Sequence, residues 1–186
     1  AKADVFVHHM QTGKTELISK SSKGKLGNNE SAAQALSADG RYVAFQSLAD
    51  NLVRGDTNAQ PDIFVHDRQT GKTTIISKAS SGVLGNNRSS NPGLSADGRF
   101  VAFESEAGNL VPGDSNGKAD AFVHDRKTGR TEIIDRNSAG LQGNSGGCFE
   151  PSISEDGRYV AFSSNAGNLV SGDTNGRSDV FVRDLQ

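Results

Sequence analysis

Three segments of the 186-residue chain carry oxygen-bearing side chains at one spacing. Asp56, Asn58 and Asp62 form the first set, Asp114, Asn116 and Asp120 the second, and Asp173, Asn175 and Asp179 the third. Each lies in the text Asn-Leu-Val-Xaa-Gly-Asp-Thr/Ser-Asn-Xaa-Xaa-Xaa-Asp. Two carboxylates and an amide in a short loop are hard oxygen donors, the kind that calcium gathers together with carbonyls and water. Calcium is therefore the expected cofactor, held with the modest affinity of extracellular modules because each loop has only two carboxylates. The competing expectation is that Asp and Asn only form Asx turns and cap backbone N–H groups.

Other chemistry-bearing residues fit a reaction less well. Gly143-Asn144-Ser145-Gly146-Gly147 has the spacing of a nucleophile elbow, which needs a strand-to-helix turn. The corresponding segments read Gly27-Asn28-Asn29 and Gly85-Asn86-Asn87 and no helical pattern follows, so Ser145 is expected to be a loop residue. The Thr-Gly-Lys-Thr segments at Thr12 and Thr70 lack the first glycine of a phosphate loop, His8 and His66 standing there, and are read as hairpin turns. His8, His66 and His124 share one strand position with Arg183, which is expected to face solvent or a salt bridge. With no convergent nucleophile, acid and base, the chain is expected not to be an enzyme. Residues that break the repeat are the candidates for specific binding: Cys148, Phe149 and Glu150, placed in the third connection. A sugar-binding platform is disfavoured, because the chain has no Trp and its Tyr42 and Tyr159 align with Phe100 in a strand expected to be buried.

The elements that must position these loops follow from internal repetition. Ser37-Ala38-Asp39-Gly40-Arg41-Tyr42-Val43-Ala44-Phe45 returns at Ser95 and again, with Glu155 for Ala, at Ser154, 58 and 59 residues on. Asp-Xaa-Phe-Val occurs at Asp4, Asp62, Asp120 and Asp179. Each unit predicts four short strands, the first ending near Leu36-Ser37 and the others over 41–47, 62–67 and 72–77, joined by Asp-Gly and Thr-Gly hairpin turns. The repeats divide at 1–35 (partial), 36–92, 93–150 and 151–186 (partial) as a single array. A four-stranded antiparallel meander cannot bury both faces alone, so the expected fold is all-β, with about three propeller blades that belong to a larger propeller or assembly. In such blades the loops 78–91 and 49–61, with 107–119 and 166–178, emerge on one face.

Pro-Xaa-Xaa-Ser-Xaa-Asp-Gly-Arg-Xaa-Val-Ala-Phe, complete at Pro92 to Phe103 and Pro151 to Phe162, is similar to the WD40-like repeat of the TolB type. That family builds propellers of about six to eight blades in exported bacterial proteins, which implies an extracellular, periplasmic or cell-surface location. Gln34 departs from the pattern, and the copies are longer than a typical blade. The Asp114 and Asp173 loops resemble the later part of the calcium loops of integrin-type propellers, with Pro112 and Ser171, like Arg54, where the first acid would stand.

Composition narrows the partners. Twenty Lys and Arg against 22 Asp and Glu leave a formal charge of −2, which offers no basic surface for nucleic acid. No apolar run approaches a membrane span, and the lone Cys148 permits no internal disulfide. The expected function is a non-catalytic, calcium-stabilised extracellular binding or scaffold module. The alternatives are a self-assembling surface or filament subunit and a hydrolase-like enzyme using the long-loop face. The third strand occurs four times and the others three, so the expected partner is another copy joined head to tail, in a ring or filament, or further blades of a longer chain.

Overall fold

The turn from Ser37 to Arg41 shows how the repeat forms its strands. Asp39 Oδ1 accepts from the Ser37 hydroxyl at 2.6 Å and from the Arg41 amide at 2.9 Å, and Ser37 Oγ accepts from the Tyr42 amide at 2.8 Å. These bonds close a turn in which Gly40 takes φ of 69°, a left-handed conformation that a Cβ would penalise. The same bonds recur around Asp97 and Asp156. Register is held by Arg41, which grips Asp67 at the end of the adjacent strand at 2.9 and 2.7 Å; Arg99 holds Asp125 and Arg158 holds Asp184 in the same way. A bidentate pair cannot follow a one-residue slip.

The computed structural model describes residues 2–144 and 147–186, all in strands, turns and loops. Strands β1 (Phe6–His8) and β2 (Thr15–Leu17) pair as a hairpin. Strands β3 (Ser31–Leu36), β4 (Tyr42–Ser47), β5 (Asp62–Asp67) and β6 (Lys72–Ile75) form one antiparallel meander. Strands β7 (Ser89–Leu94), β8 (Phe100–Ser105), β9 (Asp120–Asp125) and β10 (Arg130–Ile133) form a second, and β11 (Cys148–Ile153), β12 (Tyr159–Ser164) and β13 (Asp179–Asp184) a three-stranded sheet. The strands fall where the repeat predicts them. The sheets begin at 31, 89 and 148, so the repeat boundaries at 36, 93 and 151 cut through β3, β7 and β11.

The sheets stack face to face as blades. Ala44, Ile63 and Val65 of the first meander meet Val101, Phe103 and Phe122 of the second, whose own Ala102, Ala121 and Val123 meet Val160 and Phe162. On the opposite side Val5 and Ile18 of the β1–β2 hairpin cover Val43, Phe45 and Phe64. β3 touches β7 and β7 touches β11, which makes the first strand of each sheet the inner edge from which the blades radiate. Gly93 fits there because the Pro151 carbonyl would lie 3.4 Å from a Cβ.

Stacking corrects two expectations. His66 and His124 do not face solvent; both are buried, and each ring Nδ1 bonds the hydroxyl of Thr73 or Thr131 at 2.9 Å. A strand covered on both faces has no outward side for a polar residue. Arg183 stands at the same position and donates to the Arg136 carbonyl at 3.0 Å, the counterpart of the Lys20 and Lys78 carbonyls that Thr73 and Thr131 satisfy. Nor are the tyrosines core residues: Tyr42 is half-buried beneath Arg126 at 4.3 Å and Tyr159 is 39% exposed.

Candidate functional site

The long loops lie on one face because each Asn-Leu-Val segment is stapled to the connection beside it. Asn51 accepts from the Asn28 amide at 2.9 Å and donates to the Leu26 carbonyl at 2.8 Å, and Asn109 and Asn168 repeat both bonds with the next two connections. Leu52, Leu110 and Leu169 are buried beneath. Gly27, Gly85 and Gly143 press against Ala49, Ala107 and Ala166, where a Cβ would sit 3.3, 3.2 and 3.1 Å from the alanine methyl. Tight backbone packing holds the acidic segments in place.

Each acidic segment begins with an Asx turn. Asn58, Asn116 and Asn175 accept through Oδ1 from the amides of Gln60, Lys118 and Arg177 and donate Nδ2 to Asp62, Asp120 and Asp179 at 2.8, 2.8 and 2.9 Å. The Asn side chains thus orient the second carboxylate of each set. Asn58 also reaches the Gly85 carbonyl and Asn116 that of Gly143.

Beyond that shared geometry the three sets differ. Among the described residues no hydrogen-bond donor meets the Asp56 carboxyl, which is 9% exposed. Burial first, then the charges of Asp62 and Asp50, push it up to about 6. Asp62 is fully buried, its carboxylate receiving Ser77 Oγ at 2.5 Å. In the second set Gln142 Nε2 bridges Asp114 at 2.9 Å and Asp120 at 3.0 Å, in the place where Leu26 and Leu84 stand in the other connections. Asp173 and Asp179 are half-exposed. Among the described residues no three His, Cys, Asp or Glu side chains converge closely enough to hold a metal by themselves, so any cation here must draw on carbonyls and water as well.

The third connection differs from the others a second time. Where Ser19 and Ser77 donate to Asp4 and Asp62, Asp135 faces Asp120, and burial together with that neighbour pushes the Asp135 carboxyl above the ordinary carboxyl range. Asp135→Ser is expected to restore the repeat's hydroxyl donor and stabilise the chain by about 1–2 kcal/mol in chelator at pH 8. Urea unfolding of the variant beside the parent checks this; equal or lower stability would contradict it.

Cys148 and Glu150 do not lie in a connection. They belong to β11 with Phe149, because Cys148 takes the place of Ser31 and Ser89 opposite a serine of the next strand, here Ser164. The Cys148 thiol is fully buried, and burial drives its ionisation far above the ordinary range. Phe149 is 39% exposed, and Glu150 takes φ of 51° at the bulge where Asn91 takes 53°. Ser145, with Gly146, lies outside the described residues.

No family model and no curated protein matches the chain. Among solved structures it is similar over 99% of its length to the putative TolB from Agrobacterium tumefaciens, at 21% identity and a TM-score of 0.60. It is similar over 97% to TolB from Acinetobacter baumannii, at 19% identity and a TM-score of 0.55. The fold is that of a TolB-type β-propeller. The chain spans 53% and 35% of those two TolB chains, so it carries part of the propeller seen in them. An oligogalacturonate lyase in complex with manganese is similar over the whole of this chain and 42% of its own, at 13% identity and a TM-score of 0.52. At such identities the likeness concerns the propeller fold and not the chemistry performed on it.

Proposed function

We propose that this propeller chain is a non-catalytic, calcium-stabilised binding or scaffold module that works outside the cytoplasm. The observation that carries the reading is Asp56: a largely buried carboxyl that no donor among the described residues meets, set near the charges of Asp62 and Asp50. A divalent cation supplies the missing positive charge, with Asp56 and Asp62 as its carboxylate ligands and Asn58 orienting Asp62. Asp114, Asn116 and Asp120 form the weaker site, since the Gln142 amide already satisfies both carboxylates. Asp173, Asn175 and Asp179 form the most open one. A non-catalytic role is supported by the commitment of the reactive side chains: His66 and His124 are tied to threonines, and the Cys148 thiol is sealed in the core. A self-assembling subunit is the second reading, favoured by the uncovered faces of the first and last sheets.

Thermal unfolding in chelator and in 10 mM calcium tests the first reading. A site filled about a hundredfold over its Kd adds about 2.7 kcal/mol, which for a chain of this size raises Tm by about 5–10 °C. Asp56→Asn is expected to remove most of that rise while leaving the chelated protein no less stable. A Tm unmoved by calcium would end the proposal.

A further inference from the structure

Two seams inside the chain are built from the same bonds. In the first, the β1–β2 hairpin lies on the β3–β6 sheet: Thr73 Oγ1 donates to the Lys20 carbonyl at 2.5 Å, and Arg68 Nη1 donates to the Gly40 carbonyl at 2.6 Å. In the second, the β3–β6 sheet lies on the β7–β10 sheet: Thr131 Oγ1 donates to the Lys78 carbonyl at 2.5 Å, and Arg126 Nη1 donates to the Gly98 carbonyl. Lys78 therefore corresponds to Lys20, Arg126 to Arg68 and His124 to His66.

One residue separates the two seams in charge. Glu16 of β2 answers both cations of the first, its Oε2 receiving Arg68 Nε at 3.1 Å and its Oε1 receiving Lys20 Nζ at 3.4 Å. Thr74 stands at the corresponding position of β6. Among the described residues neither the Lys78 ammonium nor the Arg126 guanidinium has a carboxylate within ion-pair distance, although both side chains are half-buried. Arg126 has the Tyr42 ring at 4.3 Å and the charge of Asp67 in its surroundings, and burial still lowers it. Asp67 is itself engaged, its two oxygens held by Arg41 at 2.9 and 2.7 Å and Oδ1 also receiving the Gln69 amide.

Where Glu16 fills the first seam, the second holds a cleft of about 270 Å³. Lys72, Thr74, Ile75 and Lys78 line it from one blade and His124 and Arg126 from the next. Three cations thus surround a space whose one carboxylate, that of Asp67, is already paired. The third seam does not repeat the arrangement, since Glu132 returns at the position of Thr74 and Leu185 replaces the arginine.

We propose that this cleft binds a small organic carboxylate, whose charged end takes the place between Lys78 and Arg126 that Glu16 takes between Lys20 and Arg68. The guanidinium edge suits a planar carboxylate, and the Gly98 carbonyl and the Tyr42 ring hold it in place before the ligand arrives. The volume exceeds what a carboxylate alone needs, and Ile75 offers an apolar wall for a body of a few carbons. The site is distinct from the acidic loops and needs no cation in them.

Calorimetric titration of the whole chain with butyrate, with butyramide and with inorganic phosphate, in a buffer free of other carboxylates, tests the proposal. One butyrate per chain is expected, with no heat from the uncharged butyramide. Lys78→Ala should weaken butyrate about tenfold or more, as loss of a charged hydrogen bond does, with the circular dichroism unchanged because the ammonium has no partner in the chain. Thr74→Glu builds the carboxylate of the first seam into the second and should abolish butyrate binding while raising Tm. A parent chain that ignores butyrate would overturn the proposal. So would phosphate bound more tightly than butyrate, butyrate binding indifferent to Lys78→Ala, or a Thr74→Glu chain that binds butyrate as the parent does.

Discussion

Gly98→Ala is expected to destabilise the protein by about 3–5 kcal/mol, against about 1–2 kcal/mol for Gly129→Ala. Both glycines close hairpin turns in the left-handed region, at φ of 70° and 77°, so both substitutions carry the same backbone penalty. They differ in what surrounds them. Nothing lies within 4 Å of a Cβ at Gly129, whereas at Gly98 the new methyl would occupy the Tyr42 ring. The ring would have to leave the stack beneath Arg126, opening the seam between two blades. Urea unfolding of the two variants measures the difference; equal costs would show that the seam yields without loss and that Gly98 is a turn residue only.

Acid is expected to withdraw the stability that the two buried histidines contribute, against an opposite contribution from the raised carboxyl of Asp56. Burial first, then the charge of Lys78, lowers His124 to about 4, with Asp125 raising it and Arg126 lowering it by smaller amounts. Burial lowers His66 in the same direction, among Lys20, Glu16, Asp67 and Arg68. A histidine with a depressed folded pKa stabilises fully above its unfolded value of about 6.5, and that stability is lost as pH falls toward the folded value, because the unfolded chain takes up the proton first. Between pH 7 and 4.5 His124 alone contributes a loss of about 2 kcal/mol, with His66 adding to it. The ion-paired Asp67 and Asp125, held well below the carboxylate range chiefly by Arg41 and Arg99, contribute only at lower pH. Across this window the parent should lose more stability on acidification than a His66→Asn, His124→Asn double variant, in which the opposite contribution of the raised Asp56 remains. An identical slope in both would remove the histidines from the account.

The parts of this fold legible in the sequence are those dictated by local bonds that every copy repeats. Ser37, Asp39, Gly40 and Arg41 specify a turn and a register within a few residues of themselves, so the strand spans followed directly. The common face of the long loops followed from strand order. The burial of His66 and His124 did not, because alternation along a strand separates inward from outward only when one face meets water, and here a neighbouring blade covers each. Cys148 was misplaced because the one additional residue of the third copy falls between Gly143 and Cys148, which hid its equivalence to Ser31 and Ser89. The individuality of the acidic loops was written in single substitutions: Asp135 for Ser77 and Gln142 for Leu84 stand at repeat positions distant from the loop they alter. Treating the three sets as identical concealed that Gln142 offers an amide between the carboxylates of one of them.

In both complete blades the amide that orients the second carboxylate leans on a carbonyl from the connection that follows the fourth strand, Gly85 for Asn58 and Gly143 for Asn116. For the loop from Asp173 to Asp179 the described residues show the amide–carboxylate pair without a carbonyl in that place. A neighbour that supplies the fourth strand also supplies the missing carbonyl, so adding a blade and finishing a loop become a single thermodynamic event. By reciprocity, whatever factor a cation in that loop contributes to the affinity between neighbours, the neighbour returns to the affinity for the cation.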